Sequence, residues 1–301
     1  MRNVESEFLL IKNLSSGNRF ANRRAVEINN RLKHFAVKDF TELQRGEIKE
    51  IPGKVIVLGG DGTVQACIAW LKAHDESPTI IVAGGGTGNI FRKSVISEGA
   101  TLALNDINNL DKVTGSILSF RPAIIRDEAE EEKSLFVIAA GFGQFERSYS
   151  KYRETIRQLP LPAYLQRKAS QLLAVLNTGI SSGDGQELLL NMYSTGPMLH
   201  GIKVFSNEEL SLNSTNIGLV QIKDMNPQMA VAKFVYAVSL WRLGIKPPSS
   251  IASTEVNVMF CHSPSQQGSK ATLDGEIRQM SKDANLTIRR SNTEFSVVAL
   301  V

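Results

Sequence analysis

Disulfide chemistry is the first thing this chain rules out. Cys67 and Cys261 are its only cysteines, too few for a disulfide framework and without the paired spacing a zinc site needs. The four histidines, His34, His74, His200 and His262, fall at no ligand spacing either. No apolar run approaches the roughly 20 residues that span a bilayer, so no transmembrane segment is expected. Met1 to Glu7 carries acids at positions 5 and 7 and lacks the basic-then-apolar form of a signal peptide. A cytoplasmic location is expected. There is no internal repeat and no low-complexity tract. The charge excess is also small, 34 basic against 30 acidic side chains for a net +4. That suits phosphate ligands or an anionic membrane surface, and no nucleic-acid partner is expected.

What is present is a globular composition, with 42% hydrophobic and 21% charged residues in 301, enough for one large domain or two ordinary ones. The most informative stretch is Val55-Ile56-Val57-Leu58-Gly59-Gly60-Asp61-Gly62-Thr63. Its first four residues are wholly apolar and rich in β-branching, which reads as a buried parallel strand. A glycine turn follows. Val64, Cys67, Ile68 and Leu71 then mark one face of a helix, with Cys67 as packing. A strand, a glycine turn and a helix in that order place the turn at the C-terminal edge of a sheet, where α/β folds bind ligands. Glycine admits close approach of a phosphate, and the helix N-terminus offers free N–H groups. Asp61 is a carboxylate in this anion-friendly turn, which points to a metal ion or a hydroxyl proton as its partner.

The same grammar recurs. Thr79-Ile80-Ile81-Val82-Ala83 is a second apolar run, and it ends in Gly84-Gly85-Gly86-Thr87-Gly88-Asn89 before a helix beginning near Phe91. Phe8 to Ile11 reads as a first buried strand followed by the loop Asn13-Leu14-Ser15-Ser16-Gly17, and Phe35 to Phe40 as a further strand. Alternating strands and helices imply a parallel sheet, and both glycine loops should line one crevice.

The pattern changes after Leu118. Strands are expected from Ile117 to Val137 around a solvated acidic turn, Asp127 to Lys133, and again over Phe136 to Ala140 and Ser253 to Phe260. A helical stretch is expected over Gln144 to Asn177, broken in two by Pro160 and Pro162 and apolar on one face from Leu165 to Leu176, and another helical face near Val231 to Val238. Lys151, Arg153, Arg157, Arg167 and Lys168 read as a solvated basic helix face, with contact to anionic headgroups as the alternative. The second half is mainly β.

Gly59-Gly60-Asp61-Gly62-Thr63, Gly86-Thr87-Gly88-Asn89 and the late Asp274-Gly275-Glu276, in this order, resemble the diacylglycerol kinase catalytic-domain family, which includes bacterial soluble lipid kinases and sphingosine kinases. Asn13 to Gly17 is similar to that family's opening Asn-Pro-x-Ser-Gly signature with Leu14 in the proline position, and Gly141-Phe142-Gly143 resembles its mid-chain glycine motif. The resemblance spans the whole chain. It implies an N-terminal α/β nucleotide-binding domain over residues 1–120, to which a last strand at 294–301 returns, and a β-sandwich substrate domain over 121–293. It implies transfer of the ATP γ-phosphoryl group to the hydroxyl of a diacylglycerol-like or sphingoid lipid, with Mg2+, by a protein peripheral to a membrane.

On that resemblance Asn13, Ser16, Gly59, Gly60, Gly62, Thr63, Gly86, Thr87, Gly88 and Asn89 hold the nucleotide. Asp61 and Glu276 lie near the metal, and Asp61, Asp274 and Glu276 form the catalytic set. Asp61 is the first choice of proton acceptor and Asp274 the second. Ile90 stands where many members have an acid, and Leu212-Asn213-Ser214-Thr215 stands where bacterial members carry Asp-Asp-Gly, so a second magnesium site is not expected. Two other readings remain open: a kinase of a soluble alcohol such as NAD on a related scaffold, and a non-catalytic nucleotide- or lipid-binding protein. A homodimer is compatible with either.

Overall fold

The computed structural model describes residues 7–13, 19–86, 88–112, 117–127, 130–142, 144–161, 165–166, 169–170, 173, 189–195, 198–199, 202–203, 205, 210–222, 227–245, 251–256, 258–262, 270–279 and 285–301. The chain divides into two compact units. The first comprises Met1–Pro122, Ser211–Ser214 and Ser291–Val301, and the second comprises Ala123–Leu210 and Thr215–Arg290.

In the first unit the elements run β1 (Phe8–Lys12), α1 (Arg19–Asn29), β2 (Phe35–Asp39), α2 (Phe40–Gln44), β3 (Lys54–Leu58), α3 (Asp61–Ala73), β4 (Thr79–Val82), α4 (Ile90–Ser97) and β5 (Thr101–Leu102). A 3-10 segment at Leu104–Lys112 and strand β6 (Leu118–Phe120) complete the run. The strands form one sheet in the order β2-β1-β3-β4-β19-β5, where β19 is Phe295–Leu300 at the far end of the chain and β6 pairs with β19. All these pairings are parallel except that of β6.

The apolar runs of the sequence become the centre of this sheet. Val55 to Leu58 and Ile80 are fully buried, as are Val297 to Leu300. Leu10, Ile56, Ile81 and Val298 sit in one core with Ala25 and Ile28 of α1. Because β1 connects outward to β2 on one side while β3 lies on its other side, the chain direction reverses between β1 and β3. That reversal is where doubly wound sheets open a ligand crevice at the C-terminal strand ends. The loops leaving β1 and β3 meet there.

Cys67 lies fully buried on the inward face of α3, and burial pushes its thiol up to about 12. The reactive thiolate is then negligible near neutral pH. Native protein is therefore expected to leave Cys67 unmodified by a thiol reagent at pH 8, and denaturant to expose it. Prompt labelling of Cys67 in the folded protein would contradict this packing.

The second unit is antiparallel. Its elements are β7 (Ala123–Asp127), β8 (Glu130–Phe136), β9 (Ala139–Phe142), α5 (Gln144–Arg157), β10 (Leu189–Tyr193), β11 (Met198–Leu199), β12 (Ile202–Lys203), β13 (Ile217–Ile222) and α6 (Pro227–Arg242). After them come β14 (Ile251–Val256), β15 (Val258–His262), β16 (Lys270–Leu273), β17 (Glu276–Gln279) and β18 (Asn285–Arg290). A six-stranded sheet, β14-β13-β10-β9-β16-β17, faces a four-stranded one, β15-β18-β7-β8. Ala140, Leu219 and Leu273 from the first interleave with Ile125, Phe136 and Ile288 from the second in one core, which is the inner layer of a sandwich. Arg290 is buried within this unit. Its Nε donates to the Asn216 carbonyl at 2.8 Å and an Nη to Ser194 Oγ at 2.9 Å.

Three local expectations are corrected. The acidic stretch is not all turn: Glu130 to Glu132 belong to β8, and Asp127 pairs directly with Glu130. β8 is an edge strand, the position at which charged sequences are tolerated in a sheet. Ser253 to Phe260 is two strands, since β14 ends at Val256 in one sheet and β15 starts at Val258 in the other. Phe136 to Ala140 is likewise interrupted: β8 stops at Phe136 and β9 starts at Ala139. The interruption exists because the N–H groups of residues 137–139 are taken by a carboxylate from elsewhere.

Candidate active site

The first glycine turn sits at the N-terminal end of α3. Gly60 is the N-cap in extended backbone (φ −86°, ψ −177°), and its carbonyl accepts from the Thr63 and Val64 N–H groups at 2.9 and 3.2 Å. Thr63 is buried and its Oγ1 accepts from Asn13 Nδ2 at 2.9 Å, while the Asn13 N–H donates to the Leu58 carbonyl at 2.8 Å. The first loop of the chain is thus tied to the second through a side chain 50 residues away.

The second glycine loop packs backbone-to-backbone on the first. A Cβ on Gly86 would stand 2.4 Å from Gly60 Cα, and one on Gly85 would stand 3.2 Å from the Gly59 nitrogen. No side chain fits between them. Asn89 organises this loop. It adopts left-handed backbone (φ 48°) at the N-cap of α4, and its Oδ1 accepts from the Gly85 and Gly86 N–H groups at 3.2 and 3.0 Å. Asparagine is the side chain that tolerates that conformation while offering a short acceptor.

Asp61 joins the two turns. It is the first residue of α3, and its carboxylate accepts from the first two N–H groups of α4, Ile90 at 3.1 Å and Phe91 at 3.0 Å. One carboxylate therefore stands at the positive ends of two helices. Each oxygen takes one backbone donor. Gly88 packs beside it, since a Cβ there would lie 3.1 Å from Asp61 Oδ2.

We expect Gly86→Ala to force the two loops apart. Overpacking of this kind costs about 1–3 kcal/mol, read as a lower Tm. A variant as stable as the parent would refute the contact.

In the second unit Asp274 and Gly275 form the two-residue turn between β16 and β17, with φ of 48° and 86°. Two positive values in succession make the Asp-Gly hairpin turn that matches strand twist. The Asp274 carboxylate accepts three backbone N–H groups, from Val137 at 2.8 Å, Ile138 at 2.7 Å and Ala139 at 2.9 Å. The Asp274 N–H donates to the Ala139 carbonyl at 2.9 Å. Glu276 opens β17 with its side chain about half exposed, and one oxygen meets Arg153 Nη2 at 3.4 Å.

Arg153 corrects the reading of a solvated basic face. It is buried on the inner side of α5, and Nη1 donates to the Gly275 carbonyl and to Tyr149 Oη at 3.2 Å. Lys151 on the same helix is exposed, as that reading has it. Only one signal in the sequence could have separated them: Tyr149 and Arg153 are one helical turn apart, with Ile156 on the same face.

Ser16 and Thr87 lie outside the described residues, as do Arg167 and Lys168. The other predicted residues of the first unit, Asn13, Gly59, Gly60, Asp61, Gly62, Thr63, Gly86, Gly88 and Asn89, all fall at the two linked loops. Asp274 and Glu276 share the hairpin of the second unit. Leu212, in the segment expected to lack carboxylates, donates its N–H to Glu98 Oε1 at 2.7 Å and accepts from the Arg121 N–H at 3.2 Å, all within the first unit.

Among the described residues no three metal-binding side chains cluster. A magnesium ion that arrives with phosphates takes only one or two protein carboxylates, and Asp61, a hard oxygen donor at the junction of the two glycine turns, fits that role.

Residues 7–118 match the family model for the diacylglycerol kinase catalytic domain. No curated protein matches the sequence. Among solved structures, one from Bacillus anthracis str. Sterne, provisionally described as a diacylglycerol kinase, is 15% identical with a TM-score of 0.62, covering 97% of each chain. A crystal structure of a diacylglycerol kinase from the same organism is 13% identical with a TM-score of 0.56, covering 99% of this chain and 98% of the other. At these identities the likeness establishes the fold. Residues 7–118 thus match the diacylglycerol kinase catalytic domain by sequence, and the whole length shares the fold of these solved structures.

Proposed function

We propose that the chain is an ATP-dependent kinase that phosphorylates the hydroxyl of a lipid of the diacylglycerol or sphingoid type at a membrane surface. The observation that carries this reading is Gly62. It lies in the first turn of α3 with no positive φ, and a Cβ there would meet nothing within 4 Å. The fold gains nothing from glycine at this position and loses helix stability by it. A phosphate drawn onto the helix N-terminus would need that open space.

In this reading Gly59, Gly60, Gly62, Gly86 and Gly88 leave room for the phosphates, with Asn13, Thr63 and Asn89 fixing the loops around them. Ser16 and Thr87 contribute hydroxyls. When bound, Mg2+ neutralises charge on the phosphates, and Asp61 would hold it at the glycine turns of the first unit; Glu276 is the carboxylate the second unit would offer. Phosphoryl transfer asks mainly for alignment and charge stabilisation, and two helix ends steered by one carboxylate supply a fixed frame. Asp61 also serves as the acceptor of the alcohol proton. Asp274, whose oxygens take three N–H groups, keeps the turn that carries Glu276, with Arg153 bracing it.

Gly62→Ala separates ligand from fold. The variant should gain about 0.4–1 kcal/mol of stability while its ATP affinity falls by about tenfold or more. Raised Tm with unchanged ATP binding would remove the argument from this loop. The reaction itself is tested with labelled ATP and a total lipid extract, followed by identification of the labelled product. Absence of any labelled lipid, with label appearing on a soluble alcohol, would refute the lipid assignment.

A further inference from the structure

We infer that the C-terminal end of α6 docks on an anionic lipid bilayer, with Leu243 and Ile245 as the inserted residues. Helix α6 packs in the second unit with Ala237 fully buried, and among the described residues its other flank is exposed. Val235 is 56% exposed and Tyr236 53%, Leu243 is 73% exposed and Ile245 50%. Val235, Tyr236, Ser239 and Leu243 recur at helical spacing, so they share one flank. Leu243 is the most exposed of the large apolar side chains described.

These residues are held outward by the way the helix ends. Gly244 takes left-handed backbone (φ 71°), and the Ile245 N–H returns to the Leu240 carbonyl at 2.9 Å. This is the six-to-one bond of a glycine-terminated helix, in which the residue after glycine ordinarily packs back on the helix. Here Leu243 and Ile245 instead stay half-exposed or more, on a backbone fixed by the cap. The apolar tip is therefore built to stay exposed, not to collapse.

Charge selects the occupant. Between Asp224 and Glu255 the sequence has no acidic residue, while Lys233, Arg242 and Lys246 are basic. An exposed apolar flank in a segment whose only charged residues are basic, with Arg242 exposed beside Leu243, is the pattern of a helix lying at the headgroup boundary of anionic lipid, with tyrosine at the interface. A second copy of the chain is disfavoured, because a two-fold contact would set this cationic segment against itself. The docking surface does not depend on the kinase reading; it would bring any lipid-directed chemistry of this chain to the bilayer.

The test is vesicle flotation of the full chain without nucleotide. One set of vesicles is phosphatidylcholine alone, the other contains about one-third phosphatidylglycerol. The parent protein should float with the anionic vesicles and be released by added salt. The double variant Leu243→Glu, Ile245→Glu should reduce the bound fraction by about tenfold or more with its Tm preserved. Val26→Glu, which alters an exposed apolar residue of α1, should bind like the parent. Equal binding by the double variant and parent, or no binding by the parent, would overturn the proposal. So would a parent dimer in sedimentation that the double variant converts to monomer, which would make this face a self-contact. Lipid phosphorylation in detergent micelles should be equal in parent and double variant. Its absence from both would count against the kinase reading and leave the docking result standing.

Discussion

Asp61→Asn should lower turnover by on the order of 10²–10⁴-fold, the range a positioned proton acceptor supplies, while the protein remains folded. The structural cost can be estimated separately. The Asp61 carboxylate accepts one N–H at each oxygen, from Ile90 and from Phe91. An asparagine keeps one acceptor and turns an amide N–H2 toward the other donor. The loss is one charge-assisted bond plus one poor contact, about 1–3 kcal/mol. Asp61→Ala removes both acceptors and leaves the first turn of α4 to water, with a cost of about 1–2 kcal/mol, that of a lost cap. The two variants should therefore resemble each other in Tm and in activity. What separates a chemical role from a purely architectural one is the division between kcat and KM for ATP. Loss confined to kcat, with ATP binding within a few-fold of the parent, is the expected outcome. An asparagine variant with parental kcat would show that the carboxylate only ties α3 to α4.

Much of this frame was legible from residue order. Val55 to Leu58 announces a buried parallel strand because four β-branched or aliphatic residues run without a polar break. The glycines after it announce a turn because the next apolar spacing changes from continuous to helical. The same signals recur at Ile80 and Gly84, and the structure brings both loops into backbone contact at Gly60 and Gly86. What the sequence could not reveal were partners fixed by tertiary closure. Asp61 caps a helix that starts 29 residues later, and no local pattern encodes that pairing. Arg153 reads as one cation among several until α5 is placed, after which it is a buried clamp on the turn at Gly275. The acidic run at Glu130 reads as a loop because charge usually marks solvent, yet an edge strand exposes enough surface to carry it. The break at Val137 was hidden for the same reason as the Asp61 cap, since its cause lies 137 residues away at Asp274.

That break defines the largest expected stability effect. Asp274→Ala should destabilise the second unit by about 3–5 kcal/mol, several times the effect of an ordinary surface substitution. Two terms contribute. The Val137, Ile138 and Ala139 N–H groups lose a charged acceptor, and Val137 and Ile138 are buried. Each such donor left unmet costs about 1–3 kcal/mol, with partial relief from relaxation. Alanine would also have to hold the left-handed backbone that Asp274 adopts at φ 48°, at about 1–2 kcal/mol. Asp274→Asn provides the discriminating comparison. Of these three donors, Ile138 and Ala139 give to Oδ1 and Val137 gives to Oδ2. Asparagine tolerates the same backbone and keeps an oxygen for two of the three donors. Its cost should be about half that of alanine. If Asp274 acts by holding the hairpin that carries Glu276, the asparagine variant should keep kcat within about tenfold of the parent wherever it is folded. If Asp274 were the proton acceptor, that variant would be folded and lose activity by the 10²–10⁴-fold factor expected at Asp61. Thermal unfolding and turnover measured on the same samples decide between the two, and parity of all three proteins in Tm would show that the three N–H contacts carry no weight.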